Sequence, residues 1–263
     1  MNTSELKQAA KNFGADLVGI APVSAFAGQP AERDPLKIFP QAKSVIVIGR
    51  RILRSTLTAI AQAPRLDASF RHFGFYNLED NYLAKTTYDL TLWIEARGFE
   101  AVPMFSYDTN RALQTPLAIP VAPDKPAPNV QVDWKLAAQL AGLGATGMNG
   151  LLLTPQFGTR QRVALMLSDF EFEPDAPFTQ NFCEDCDYAC MTVCPISGEC
   201  AKCKNGAIQT DFGRFNTIDK IPSRCGRACL ASLERRGLVK PPANAAALPE
   251  TPAWGFNKFG EIL

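Results

Sequence analysis

The sequence predicts an α/β domain followed by a smaller, cysteine-rich domain. Across the first two-thirds of the chain, apolar residues at helical spacing alternate with short apolar runs of strand length. All eight cysteines lie between residues 183 and 229, and residues 1 to 182 contain none. Near residue 176 long apolar periodicity fades while cysteine, glycine and charge rise. We therefore expect one domain over 1–175 and a second over 176–263, with an alanine- and proline-rich tail from Pro241 that wraps the surface.

The elements follow from pattern and punctuation. Ser4 is expected to cap a helix whose apolar residues Leu6, Ala9, Ala10 and Phe13 share one face and which stops at Gly14. Asp16 to Ala21 reads as a short strand, and Ser44 to Ile48 as a buried one. Glu79 to Arg97 is the strongest helix, striped by Leu83, Leu90 and Ile94 and ended by Gly98. Phe99 to Met104 is the strand after it. The prolines at 116, 120, 123, 126 and 128 predict an ordered loop or lid over 115–130. Trp134 to Ala141 is a short helix. Gly150 to Leu153 and Arg162 to Leu167 read as two strands joined by a turn at Thr154 to Gly158.

Composition narrows the function classes. The chain has 263 residues, 46% of them hydrophobic, which is enough for one large domain or two smaller ones with real cores. A net charge of +1 gives no global electrostatic case for nucleic acid or an anionic membrane as partner. The apolar runs are too short to span a bilayer, and the polar start Met1-Asn-Thr-Ser-Glu-Leu lacks a leader pattern, so a cytoplasmic location is expected. There, clustered cysteines more often bind metal than form disulfides.

The cysteines sharpen this reading. The run Cys183-Glu-Asp-Cys186-Asp-Tyr-Ala-Cys190-Met-Thr-Val-Cys194-Pro195 is followed by Cys200, Cys203, Cys225 and Cys229. A 4Fe–4S cluster needs four thiolates, and a tight loop can supply three of them while a distant cysteine closes the fourth corner. Eight thiols match two such clusters. The intervals of two, three and three residues differ from the two, two and three of the bacterial ferredoxin run, which leaves the partition open. We expect Cys183, Cys186 and Cys190 on one cluster with a downstream cysteine, and Cys194 on the second. A four-cysteine zinc site is the competing reading, and Cys200 and Cys203 as unligated thiols is another.

One further stretch carries a resemblance. Ala138-Gln-Leu-Ala-Gly-Leu-Gly-Ala-Thr-Gly-Met-Asn149, with the strand pair and acidic-proline turn after it, is similar to a segment of epoxyqueuosine reductases and reductive dehalogenases. Phe39-Pro-Gln-Ala-Lys-Ser-Val-Ile-Val-Ile48 resembles an early strand of the same superfamily. The likeness spans about residues 14 to 230. It implies a nitroreductase-like cobalamin-binding domain joined to a ferredoxin-like domain with two 4Fe–4S clusters. It further implies that the clusters pass single electrons to cobalt for reduction of a small-molecule substrate. Gly142, Gly144, Gly147 and Asn149 match the motif and are expected to bind the cofactor, although Gly142 and Gly144 also fit a helix end and turn. The second Cys-Pro run and a helical tail for transfer RNA are missing, which argues against an epoxyqueuosine substrate. The chain reads as a short, cytoplasmic relative.

Such a reduction needs a proton donor, and Tyr107, Asp108, Tyr76 and the only histidine, His72, are the candidates. His72 and Tyr76 lie in an aromatic stretch that could equally pack a core. Lys202, Lys204, Arg214, Arg224, Arg227, Arg235 and Arg236 could dock an acidic electron donor such as a ferredoxin or flavodoxin, or merely offset anionic clusters. Two other functions compete with the corrinoid reductase: a non-catalytic electron-transfer protein or redox subunit, and a zinc-bound interaction module.

Overall fold

The computed structural model describes residues 1–62, 73–74, 77–105, 130–194, 207–209, 218–220 and 224–248. In chain order its elements are α1 (Thr3–Asn12), β1 (Leu17–Pro22), β2 (Ser44–Arg51), α2 (Arg54–Gln62), a π-helical stretch (Asn77–Leu83) continuing into α3 (Ala84–Glu95), and β3 (Ala101–Phe105). Then come α4 (Trp134–Leu140), β4 (Ala145–Thr146), β5 (Leu152–Leu153), β6 (Gln161–Ser168), α5 (Ala189–Thr192), β7 (Ala207–Gln209), β8 (Ile218–Lys220) and α6 (Arg224–Arg235). Two compact units form: Met1–Arg50 with Tyr82–Gly144 and Val163–Thr179, and Arg51–Asn81 with Ala145–Arg162 and Gln180–Leu263.

The first unit is built on a sheet of order β1-β2-β6-β3. β1 runs antiparallel to β2 with Ile20 opposite Ile46, and β3 runs antiparallel to β6 with Ala101 opposite Ser168. Val45, Ile46, Val47 and Ile48 are all fully buried, as a strand covered on both faces requires. Alternation selects Ile46 and Ile48 on β2 and Ala164 and Met166 on β6 for one core, which Leu6 and Ala10 of α1 and Leu90 and Ile94 of α3 complete.

Asn2, rather than Ser4, caps α1. Asn2 Oδ1 accepts the Glu5 N–H at 2.9 Å while Glu5 Oε2 accepts the Asn2 N–H at 3.0 Å, a reciprocal box that places Ser4 inside the first turn. The helix expected over 79–97 is likewise divided, with the π-helical stretch before α3. The buried hydroxyls of Thr87 and Thr91 donate back to the carbonyls of Leu83 and Thr87, so α3 hides polar groups without leaving them bare. After β6 the acidic turn closes on the sheet: Asp175 accepts the Ile20 N–H at 2.9 Å and pairs with Lys7.

In the second unit the turn at Thr154–Gly158 joins β5 to β6 as expected, and β5 pairs antiparallel with β4. The Thr154–Gly158 turn closes on itself through two backbone hydrogen bonds, and Gln161 Nε2 occupies the Leu152 carbonyl at 2.7 Å. Gly158, at φ +59°, lets the turn meet α6: a Cβ there would lie 2.8 Å from Leu230 Cδ1. Arg54 clasps Glu234 of α6 through two 2.8 Å bonds, both side chains almost fully buried, and donates to the Ala246 carbonyl. The hydrogen bond to Glu234 raises the Arg54 pKa against the opposing effect of burial.

Candidate functional site

The cysteine loop is shaped by backbone before any ligand is considered. Asn181 Oδ1 accepts the Cys183 N–H at 3.0 Å, an Asx turn that starts the loop. Asp185 and Tyr188 then adopt left-handed backbone, at φ +54° and +53°, which is uncommon for residues with side chains. α5 begins immediately after Tyr188 and carries Cys190.

Four sulfurs meet there. Cys183, Cys186 and Cys190 from the loop and Cys229 from α6 line one cavity, together with Asn149 and Phe182. Burial, reinforced by the thiolates of Cys190, Cys183 and Cys186, pushes the Cys229 thiol up to about 12. Cys190 is raised for the same reasons, burial first and then Cys186, Cys225 and Cys183. Crowded thiolates repel one another, and only bound cations make such a set favourable in its ionised form. None of the six described cysteines forms a disulfide. Among the described residues no group of three or more acidic, histidine or cysteine side chains is placed to hold a metal ion, and the four cysteines line a shared cavity.

The loop is tied down from α6. Asp187 accepts from Ser232 Oγ at 3.2 Å and from Arg235 at 2.7 Å. Despite an upward push from burial, these bonds and that from the Ala189 N–H hold its carboxyl below the usual range. Arg236 donates to the carbonyls of Phe182 at 2.9 Å and Glu184 at 2.5 Å. Arg235 and Arg236 are thus engaged by the loop itself. Composition could not reveal this, although an aspartate two residues before a helix is a recognisable capping signal.

The glycine motif divides. Gly142 sits just past α4 at φ +75°, and the place of its missing Cβ is taken by the Ala176 carbonyl oxygen at 2.6 Å. At Gly147 that place is taken by Leu153 Cδ1 at 2.7 Å. Gly142 is therefore required by the chain's own backbone and Gly147 is crowded by a core side chain, and no described geometry there forms a cradle for a corrinoid. Gly144 is buried beside them. Asn149 lines the cysteine cavity, and the neighbouring Met148 N–H points at Cys183 Sγ at 3.4 Å. His72, Tyr76, Tyr107, Asp108, Cys200 and Cys203, the proline-rich 115–129 and the tail beyond 248 lie outside the described residues. Cys194 follows α5, its N–H bonded to the Met191 carbonyl, and Cys225 opens α6. Among the described residues no helix is long and apolar enough to cross a membrane.

Comparison with known proteins gives the site its context. No protein-family model matches the chain. A tetrachloroethene reductive dehalogenase of Dehalobacter restrictus is 31% identical over 156 residues, which cover 58% of this chain and 23% of that protein. An epoxyqueuosine reductase of Staphylococcus aureus is 40% identical over 63 residues, 24% of this chain and 16% of that protein. Among solved structures, a reductive dehalogenase described as B12-dependent superposes with a TM-score of 0.54 at 17% identity, covering 86% of this chain and 31% of its own. The epoxyqueuosine reductase of Streptococcus thermophilus superposes at 0.53 with 20% identity, covering 78% of this chain and 57% of its own. The mixed α/β fold is shared with both, and the chain spans only a fraction of each relative's length.

Proposed function

We propose, from the chain's membership of the superfamily of reductive dehalogenases and epoxyqueuosine reductases, that it is an iron–sulfur oxidoreductase. In this reading Cys183, Cys186, Cys190 and Cys229 hold a 4Fe–4S cluster. The observation that carries it is the cavity those four sulfurs share, three from one loop and one from a helix about forty residues downstream. A bound cluster supplies one-electron transfer. The chain's own part is to hold four thiolates in fixed geometry, to present the Met148 N–H to Cys183 Sγ, and to brace the loop through Asp187 and Arg236. A second cluster on Cys194 and Cys225 with Cys200 and Cys203 belongs to the same proposal, as do the ferredoxin-like character of 176–263 and an electron donor of the ferredoxin or flavodoxin kind.

The electron acceptor we propose is a bound corrinoid that reduces a small-molecule substrate. This rests on the superfamily, since Gly142 and Gly147 are occupied by the chain's own packing. Tyr107, Asp108, His72 and Tyr76 are the proposed proton donors. Anaerobic purification with iron, sulfide, zinc and cobalt measured together tests the cluster. About four iron per chain is expected for one cluster and about eight for two, with broad visible absorption. Stoichiometric zinc without iron overturns the assignment. Titration with cobalamin tests the acceptor: an altered corrinoid spectrum supports it, and an unchanged spectrum at excess ligand rejects it while leaving the iron–sulfur protein intact.

A further inference from the structure

The turn Gly147–Leu151 has no role yet in holding iron, and it carries a buried polar group that the polypeptide leaves unused. Gly147 N–H donates to the Leu151 carbonyl at 2.9 Å and Gly150 N–H to the Gly147 carbonyl at 2.8 Å, with Gly150 at φ +72°. Leu153 fills the space beside Gly147, so the turn is tight and its orientation fixed. Within it Asn149 is only 9% exposed. Its Oδ1 accepts the Leu151 N–H at 3.1 Å, which settles which end of the amide is oxygen. The other end, Nδ2, is buried with no hydrogen-bond partner in the structure. A buried amide donor left bare is costly, about 1–3 kcal/mol, and rarely tolerated without a purpose. Asn149 and Cys229 line the same cavity. One residue earlier, the Met148 N–H points at Cys183 Sγ.

We propose that this turn is a sulfur-binding clip: Asn149 Nδ2 donates to Cys229 Sγ and the Met148 N–H to Cys183 Sγ when these sulfurs are bound to iron. The proposal rests on the cluster assignment above. Asn149 is a positioning residue. It touches neither iron nor substrate, and it acts through the charge on a ligand sulfur. Adding one electron to a cluster increases negative charge on its sulfurs, so N–H donors stabilise the reduced form more than the oxidised one and raise the potential. The glycine–x–asparagine motif is thereby explained by the cysteine site, which the turn faces.

The test is an anaerobic redox titration of the loaded full-length chain, followed by electron paramagnetic resonance of the reduced cluster. Asn149→Asp keeps the oxygen that accepts from Leu151 and exchanges the amide donor for an anionic oxygen. Asn149→Leu deletes the donor at similar volume. Both are expected to make reduction about tenfold less favourable, 59 mV for one electron, with Asn149→Asp at least as low as Asn149→Leu. An unchanged midpoint in either variant that retains its cluster overturns the proposal. If neither variant retains one, echo-detected nitrogen couplings in the reduced wild-type protein, grown with 15N-asparagine, decide the matter: a coupling supports the clip, and none overturns it. Absence of any cluster in the wild-type chain is a separate result and defeats the underlying assignment instead.

Discussion

In the unit built on the four-stranded sheet, buried polar groups find partners within the chain. Ser44 Oγ donates to the Phe170 carbonyl and accepts the Phe172 N–H, and Thr86 Oγ1 takes two hydrogen bonds from Arg50. In the cysteine-bearing unit, Asn149 Nδ2, Arg160 Nε and all three guanidinium nitrogens of Arg227 are buried with none. Four thiols line one cavity there, and burial together with neighbouring thiolates opposes the ionisation of Cys190 and Cys229. Among the described residues, only Gln131 Oε1 shares that unsatisfied state in the sheet unit. Native chains rarely leave such groups bare, and the contrast is the one the proposed cluster would produce: a unit that its own residues complete beside one that a bound group would complete.

The largest expected effect breaks that comparison directly. Iron removal under reducing conditions is expected to weaken the cysteine-bearing unit and spare the sheet. Hydrogen exchange should accelerate at least about a hundredfold in 183–194 and in α6, with little change in β1, β2 and β3. Equal acceleration in both units would show that the sheet depends on the metal as well. Next comes Glu234→Gln, which strands the buried Arg54 guanidinium opposite a neutral amide. Breaking a buried pair at one partner costs about 3–5 kcal/mol, and denaturant unfolding should show the loss. Leu90→Ala, in the sheet unit, removes a fully buried side chain and should cost about 2–5 kcal/mol while leaving iron content per folded chain unchanged. A loss of iron there would mean that cluster retention follows global stability.

The two regions were also unequally legible. Strands such as Ser44–Arg51 and the stripe of Leu83, Leu90 and Ile94 declare themselves because burial repeats with the geometry of the element. End points were harder to read. Asn2 and Ser4 are both good caps, and only the reciprocal bonds to Glu5 decide between them. The cysteine spacing predicts a metal site, but it does not give the walls of the cavity that four of the thiols share. That residues 147–153 face Cys183 and Cys229 is a contact across 35 residues and more, and no local period encodes it. Resemblance attaches Asn149 to a corrinoid; its place in the cysteine cavity follows from the turn at Gly150 and the bond to Leu151. Likewise β5 has the composition of a strand that could continue to β6, and it is the Gln161 side chain, not any propensity, that takes its carbonyl.

The smallest effect tests the comparison through its most extreme orphan. Arg227 is 1% exposed, lies on α6 between Cys225 and Cys229, and has no hydrogen-bond partner for Nε or either Nη. Burial, and then Arg224, holds its pKa down to about 10, so it is still charged at neutral pH. An unsatisfied charged group costs at least about 1–3 kcal/mol, and Arg227→Met removes the charge while keeping an unbranched apolar stem. In iron-free protein this variant should therefore be more stable than wild type by about that amount, a rare direction for a substitution in a core. With iron bound the gain should shrink, because anionic centres on the flanking thiolates attract the guanidinium in the wild type. Denaturant titrations of Arg227→Met and Arg227→Lys, each with and without iron, measure both differences. A loss of stability in the iron-free Met variant would show that the chain itself satisfies Arg227. An equal gain in both states would detach that residue from the cysteine site and return the contrast between the units to the thiols and Asn149 alone.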